Sequence, residues 1–388
     1  MLDIFHIGPR LSAILAVLTL LCLPVPAPAQ EKEGAAGPAV FLLAAPESGP
    51  LAEVGLRARQ GAELALNIWG GGYKLEILNE SRPDSLDEID LGPVALVLGY
   101  FTEKRFAADA PRYLYLRKPV LLPFLTNEEA AARGPGLFFR LMPTPRDQGR
   151  FLALEILKLG RRPGRLLLVT GAAPAQADFL AALTETLANP AHALADGKPS
   201  PAGAEIKPLD PKARVVTVSL DQALAPEGLA RFGPNKPDLA VLALDPAEAL
   251  RLAPRLAREG YEKIPLWGAV PLGFREVGAG FINLGLNLRL GLPAANVLSQ
   301  DKPATRDFTR QFIEAYKARP TWISALAFDS LNLAVKAASS GEGKGGLADF
   351  LAGGRHHGLA AYDLGPEGDG SASLALMAVR PANLGFLP

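Results

Sequence analysis

Four histidines and one cysteine are the whole stock of imidazole and thiol in this 388-residue chain. Metal or nucleophilic chemistry would have to be built from them. His356 and His357 are adjacent, so on a strand they point to opposite faces and do not close on one ion. His192 lies in a proline- and alanine-rich turn, and His6 and Cys22 belong to the N-terminal segment. Ser48, within Glu47-Ser48-Gly49, lacks the G-x-S-x-G frame of a nucleophile elbow. Gly341-Glu342-Gly343-Lys344-Gly345-Gly346 looks superficially like a phosphate loop. It follows a helix rather than a strand, and no Ser or Thr follows Lys344. The residues therefore point to a protein that is not an enzyme, with no metal and no cofactor.

What remains is recognition chemistry, and the elements must place it. An apolar run, Val40 to Ala45, ends in Pro46-Glu47-Ser48-Gly49-Pro50. Leu51, Val54, Ala58, Ala62, Ala65 and Ile68 follow at helical spacing, and three glycines, 70 to 72, stop them. Strand, tight loop, helix and glycine stop make the first half of a βαβ unit. Further strands are expected at 73–78, 94–98 and 119–122, with a helix from about 103 to Tyr115. A second series reads helix 146–159, strand 165–169, helix 175–188, strand 214–218, helix 221–232, strand 238–242, helix 246–258 and strand 264–267. This alternation predicts α/β architecture with doubly wound parallel sheets, helices covering both faces. In such sheets ligands bind beside the loops at the carboxyl ends of the strands.

Residues 11–23 are apolar and uncharged, too short to span a bilayer comfortably, and are followed by Pro24, Pro26 and the small residues Ala27 and Ala29. Residues 1–29 thus read as a cleaved secretory signal and 30–37 as a flexible leader, which places the protein in the periplasm. Cleavage removes the only cysteine, so no internal disulfide is expected. About 360 residues then remain, more than one core usually organises, so two lobes are expected. The 40 basic and 40 acidic residues cancel and form no basic stripe with interleaved aromatics, which argues against a nucleic-acid partner.

Residues 39–72 resemble the opening of type I periplasmic solute-binding proteins of ABC transporters, in particular the branched-chain amino-acid (Leu/Ile/Val)-binding group. The matching residues are Pro46, Ser48-Gly49-Pro50, Arg59 and Gly61-Ala62-Glu63-Leu64-Ala65. Phe139-Arg140 through Gln148-Gly149 is similar to that family's entry into its second lobe. Phe312, Tyr316, Pro320 and Ala327-Phe328-Asp329-Ser330 resemble its later helix pair, and Gly358 to Gly370 its closing hairpin. The resemblance covers nearly the whole mature chain. It implies two lobes joined by three crossings, lobe 1 from 38–143 plus 270–355 and lobe 2 from 146–267 plus 358–388. It also implies a monomer that captures a small-molecule solute and hands it to an ABC permease in the inner membrane. The readings from other classes are an envelope scaffold that binds another protein with the same fold, and a ligand sensor.

In the relatives, lobe 1 holds the ligand's carboxylate with hydroxyls and backbone N–H groups on two loops, which here are 99–103 and 123–127. The resemblance puts Thr126 on the ligand, with Thr102 supplying a hydroxyl because Glu103 stands where the family has serine. Thr126 or Asn127 followed by Glu128 and Glu129 equally makes a helix N-cap, which alone would explain the threonine. Tyr100 and Phe101 either line the crevice or pack beneath it, and Leu125 and Ser48 complete this side. In lobe 2 the family's tyrosine is replaced near Ala175, and an aromatic expected near Leu244 and an acid expected near 269–272 are both missing. Asp245 is a candidate ammonium acceptor, although Asp245-Pro246-Ala247-Glu248 reads as a capping box. Trp267 at a strand end either stacks on a ligand or belongs to the core. A zwitterionic α-amino acid suits this lining poorly. A neutral or apolar molecule, or a carboxylate without an amine, suits it better.

Overall fold

The computed structural model describes residues 39–191, 206–299, 302–340, 346–365, 368 and 370–388. The signal, the leader, His6, Cys22, His192, residues 341–345 and residues 366, 367 and 369 of the closing hairpin lie outside the described residues.

The first series is β1 (Ala39–Ala45), α1 (Ala52–Trp69), β2 (Tyr73–Asn79), β3 (Val94–Gly99), α2 (Glu103–Tyr115), β4 (Val120–Leu122), α3 (Glu128–Ala132) and β5 (Phe138–Arg140). The central strands β1 and β3 are continuously apolar because both of their faces are covered, while the edge strand β2 carries Lys74 and Glu76. They hydrogen-bond in the order β2-β1-β3-β4-β5, all parallel.

The second series is α4 (Pro145–Leu157), β6 (Arg165–Thr170), α5 (Pro174–Ala188), β7 (Arg214–Ser219), α6 (Leu220–Leu224), β8 (Leu239–Ala243), α7 (Pro246–Arg258), β9 (Pro265–Gly268), α8 (Arg275–Asn283) and β10 (Asn287–Pro293). The helix expected over 221–232 stops at Leu224, because Pro226 removes a donor and Gly228 turns back to Ala225. Reading β6 as the first strand of its sheet, the parallel strands repeat the order of the first sheet, β7-β6-β8-β9-β10. The chain then returns through α9 (Pro303–Tyr316), α10 (Trp322–Ser340), α11 (Gly346–Leu351) and the strands β11 (Gly354–His357), β12 (Ala361–Leu364) and β13 (Gly370–Ala372). Finally β14 (Leu374–Ala378) adds antiparallel to β10.

Strand pairing divides the chain differently from the expected boundaries. Residues 287–293, expected with the first lobe, pair with β9 in the second sheet. The strands β11, β12 and β13, most of their residues expected with the second lobe, form a three-stranded sheet beside β5, where Arg140 N–H donates to the Gly368 carbonyl at 2.9 Å and Ala372 N–H to that of Leu141 at 2.6 Å. The open edge of β5 is thereby covered. The chain passes between the sheets three times: after β5, between β10 and α9, and at Ser373. Buried residues of both sheets run together in one cluster through Leu141, Met142, Ala294 and Val297.

Close helix contacts fix each half. A Cβ on Gly61 of α1 would lie 2.0 Å from the Ser324 carbonyl of α10, and one on Gly149 of α4 would lie 2.2 Å from that of Phe179 on α5. Glycine lets these backbones touch. Ile68, expected on the buried face of α1, is 49% exposed and lines a cavity beside α9 and α10.

Candidate functional site

In a sheet of order 2-1-3-4-5, neighbouring connections leave in opposite directions between strands 1 and 3, and a crevice opens outside their carboxyl ends. This chain has two such switch points, between β1 and β3 and between β6 and β8.

At the first, side chains stitch neighbouring loops together. Ser81 Oγ donates to the Ser48 carbonyl at 2.9 Å and receives Ser48 N–H at 3.4 Å, so Ser48, although exposed, is tied to the loop after β2. Glu80, just past β2, accepts from Phe101 N–H at 2.8 Å, Thr102 N–H at 2.6 Å and the Thr102 hydroxyl at 2.6 Å. Burial raises the Glu80 carboxyl above its ordinary pKa, and these hydrogen bonds oppose the rise. Phe101 stacks on Phe124 at 4.1 Å between centroids. Asn127 Nδ2 donates to Glu103 at 3.0 Å while its Oδ1 caps α3 through Glu129 N–H.

Beneath these loops lies a buried polar group. Tyr100, at φ 64°, turns inward, its hydroxyl 2.8 Å from Asp109 and 2.6 Å from the Tyr113 hydroxyl. Arg105 pairs with Asp109 at 2.9 Å. Burial is the main cause that pushes the Tyr100 hydroxyl and the Asp109 carboxyl upward. Tyr100 therefore packs beneath the crevice, and Leu125, 2% exposed, belongs to the same core.

Around the second switch point the loops are held by local caps. Asp245 Oδ1 accepts Glu248 N–H at 2.7 Å, and Glu248 receives Asp245 N–H at 2.9 Å. Asp245 thus caps α7, as its capping-box sequence suggested, and its carboxylate is engaged there. Glu248 also receives the Gln176 amide at 2.8 Å, while Gln176 accepts Ala173 N–H at 3.0 Å. Trp267 is a core residue among Leu152, Leu166 and Phe179, not a rim aromatic. On β9 its alternation puts it on the face that α4 and α5 cover.

Where the two sets of loops meet, a cavity of about 70 Å³ is lined by Thr126 from the first sheet's side and by Pro145, Gln148, Ala175, Gln176, Phe179, residues 242–244, Ala269 and Pro271 from the second. Of the nine candidates drawn from the sequence, only Thr126 is on this wall. Gln148, buried, spans Pro143 and Val270, donating to the Pro143 carbonyl at 2.9 Å and accepting Val270 N–H at 3.2 Å. The local sequence assigns no site role to Gln148, Gln176 or Glu80, and Gln148 stands out only within the stretch that resembles the second-lobe entry. The only signal for them is position, at helix starts and a strand end, and it becomes a signal once the strand order is known. Among the described residues, no carboxylate lines the cavity.

A larger cavity, about 440 Å³, lies on the first half away from both switch points, bounded by α9, α10 and the β11–β12 turn. Its floor includes Asp329, which accepts Leu359 N–H, Ala360 N–H (both 2.8 Å) and the Tyr362 hydroxyl (2.6 Å). Burial raises the Asp329 carboxyl to about 6. His356 and His357 stand at its rim, one half-buried and one exposed. Among the described residues, no group of three or more His, Cys, Asp or Glu is placed to hold a metal ion.

Two repeated α/β halves, three crossings and switch points facing one crevice define the type I periplasmic binding-protein fold, in agreement with the resemblance carried by residues 39–72. Solved structures bear this out. An ABC transporter substrate-binding protein from Sphaerobacter thermophilus matches with a TM-score of 0.64 at 18% identity, over 87% of this chain and 92% of that one. A solute-binding protein of an ABC transporter from R. palustris, in complex with benzoate, matches with a TM-score of 0.59 at 19% identity over 89% and 94%. The branched-chain amino-acid transporter substrate-binding protein of Streptococcus pneumoniae, in complex with isoleucine, matches with a TM-score of 0.60 at 18% identity over 88% and 99%. No protein-family model and no curated protein sequence matches the chain.

Proposed function

We propose that this protein is a periplasmic solute-binding component of an ABC importer, which captures a small molecule between its two halves and presents it to a permease. The observation that carries the reading is the small cavity where both switch points meet, with Thr126 on one wall and Gln148 and Gln176 on the other. Hydroxyl and amide groups in a mostly apolar lining suit an uncharged solute with a few hydrogen-bonding atoms. Solute that touches both halves at once favours their closed arrangement, which is the signal a permease reads. It is a binding protein and does no covalent chemistry.

Thermal-shift screening of the purified protein against small metabolites tests this. A true solute raises the melting temperature with concentration, and Thr126→Val weakens that response without lowering the melting temperature of the free protein. A shift unaffected by changes at Thr126, Gln148 and Gln176 would refute the site.

The cavity volume supports a second reading. About 70 Å³ is well under the roughly 300–1,000 Å³ of ordinary ligand pockets, as a scaffold that binds another envelope protein would have. Silence across the screen, with specific pull-down of an envelope enzyme, would establish that reading instead.

A further inference from the structure

The β1/β3 switch point is where a sheet of this order presents backbone N–H groups to a ligand anion, aided by the positive end of the following helix. Here those donors are already used. Phe101 N–H, Thr102 N–H and the Thr102 hydroxyl all converge on the Glu80 carboxylate within 2.8 Å. The Thr102 side chain, at the N-cap position of α2, makes no cap to its own helix and turns to Glu80 instead. Three donors converge on the Glu80 carboxylate, which is 7% exposed. It reaches the seat from β2, the strand on the other side of β1. The seat is therefore built, aligned and filled from within.

We propose that Glu80 is this protein's own occupant of the anion seat at the first switch point, and that it bars carboxylate solutes there and reserves the crevice for uncharged ones. The selectivity half of this proposal rests on the solute-capture reading above, while the occupancy half does not. A second carboxylate arriving at the loop meets no free donor on Phe101 or Thr102 and a buried like charge behind them. Any ligand contact on this side then falls to Thr126, whose hydroxyl suits a neutral donor or acceptor.

Chemical rescue tests it. Glu80→Ala removes a side chain whose missing atoms acetate replaces. Millimolar acetate is expected to raise the melting temperature of E80A saturably, while acetamide and matched chloride do nothing, and wild type and Glu80→Gln stay unmoved. Equal acetate shifts in wild type and E80A, or none in E80A, would overturn the proposal. If E80A does not fold, the wild-type protein decides: the backbone amide resonances of Phe101 and Thr102 stay fixed as benzoate is titrated in, and their movement overturns the proposal. In the wild-type solute screen, benzamide is expected to outcompete benzoate. A carboxylate that binds and moves the two amides preserves solute capture and refutes Glu80 as a filter. Acetate rescue with a silent screen establishes the filled seat and refutes capture.

Discussion

The two parallel sheets share one strand order, yet the helices beside their switch points start by different means. In the second half the starts are local. Asp245 and Glu248 satisfy one another's backbone N–H groups across three residues, and Gln176 reaches back to Ala173. In the first half neither Leu51 nor Thr102 caps its own helix with a side chain. The start of α2 is instead met by Glu80 from a different strand, and the layer beneath is the buried group of Tyr100, Asp109, Tyr113 and Arg105. One topology thus carries one wall whose helix starts are met by near neighbours, with Gln176–Glu248 and Gln148–Val270 reaching farther, and another where a long-range polar contact meets the start of α2. The second kind of wall is rigid only while the whole half is folded, and it leaves few donors for a guest.

This contrast makes changes in the first half the more damaging ones. The largest effect is expected for Asp109→Ala, which strands the buried Arg105 charge and should cost about 3–5 kcal/mol of stability by denaturant unfolding. A loss no greater than that of a surface substitution would break the contrast.

Asp329 extends it to the returning helices. Its carboxyl is raised from 3.8 to about 6 in the fold, so between those values the native protein holds a proton that the unfolded chain has released. The stability it contributes is present below pH 3.8 and is lost as pH rises through about 6, a fall of up to roughly 3 kcal/mol. Melting temperature followed across that window should decline more steeply for wild type than for Asp329→Asn. Parallel profiles would remove Asp329 from the account.

The glycine contacts sharpen the comparison by testing what the halves have in common. Gly61→Ala and Gly149→Ala both push a methyl against a backbone carbonyl and should each cost about 1–3 kcal/mol. Similar losses from the two would confine the difference between the halves to their polar contacts. The smallest effect is expected for Asp245→Ala, about 1 kcal/mol, the worth of one helix cap. If it exceeded Asp109→Ala, the ranking of the two walls would be inverted.

Much of the second wall was legible in the chain itself. Asp245-Pro246-Ala247-Glu248 announces its cap because both partners sit within one turn, and the apolar runs of β3, β6 and β8 announce buried parallel strands. Tyr100 and Trp267, which the sequence leaves open between crevice and core, and Leu125, expected on the ligand side, are all core. Their fates depend on which face of a strand end a neighbour covers, and no local pattern records that. The same holds for residues 287–293 and 361–372, whose strands choose a sheet by the free edge they meet.

By itself, then, the sequence determined which segments are strands and helices, where most helices begin, and that the halves alternate in the α/β manner, because those properties rest on contacts a few residues apart. Only the tertiary structure decided that Glu80 fills the loop after β3, that Thr126 faces Gln148 and Gln176, and that β10 and β11–β13 lie where they do. Each of those depends on strand order, which brings residues 21 or more positions apart close together, and strand order is a property of the whole packed chain.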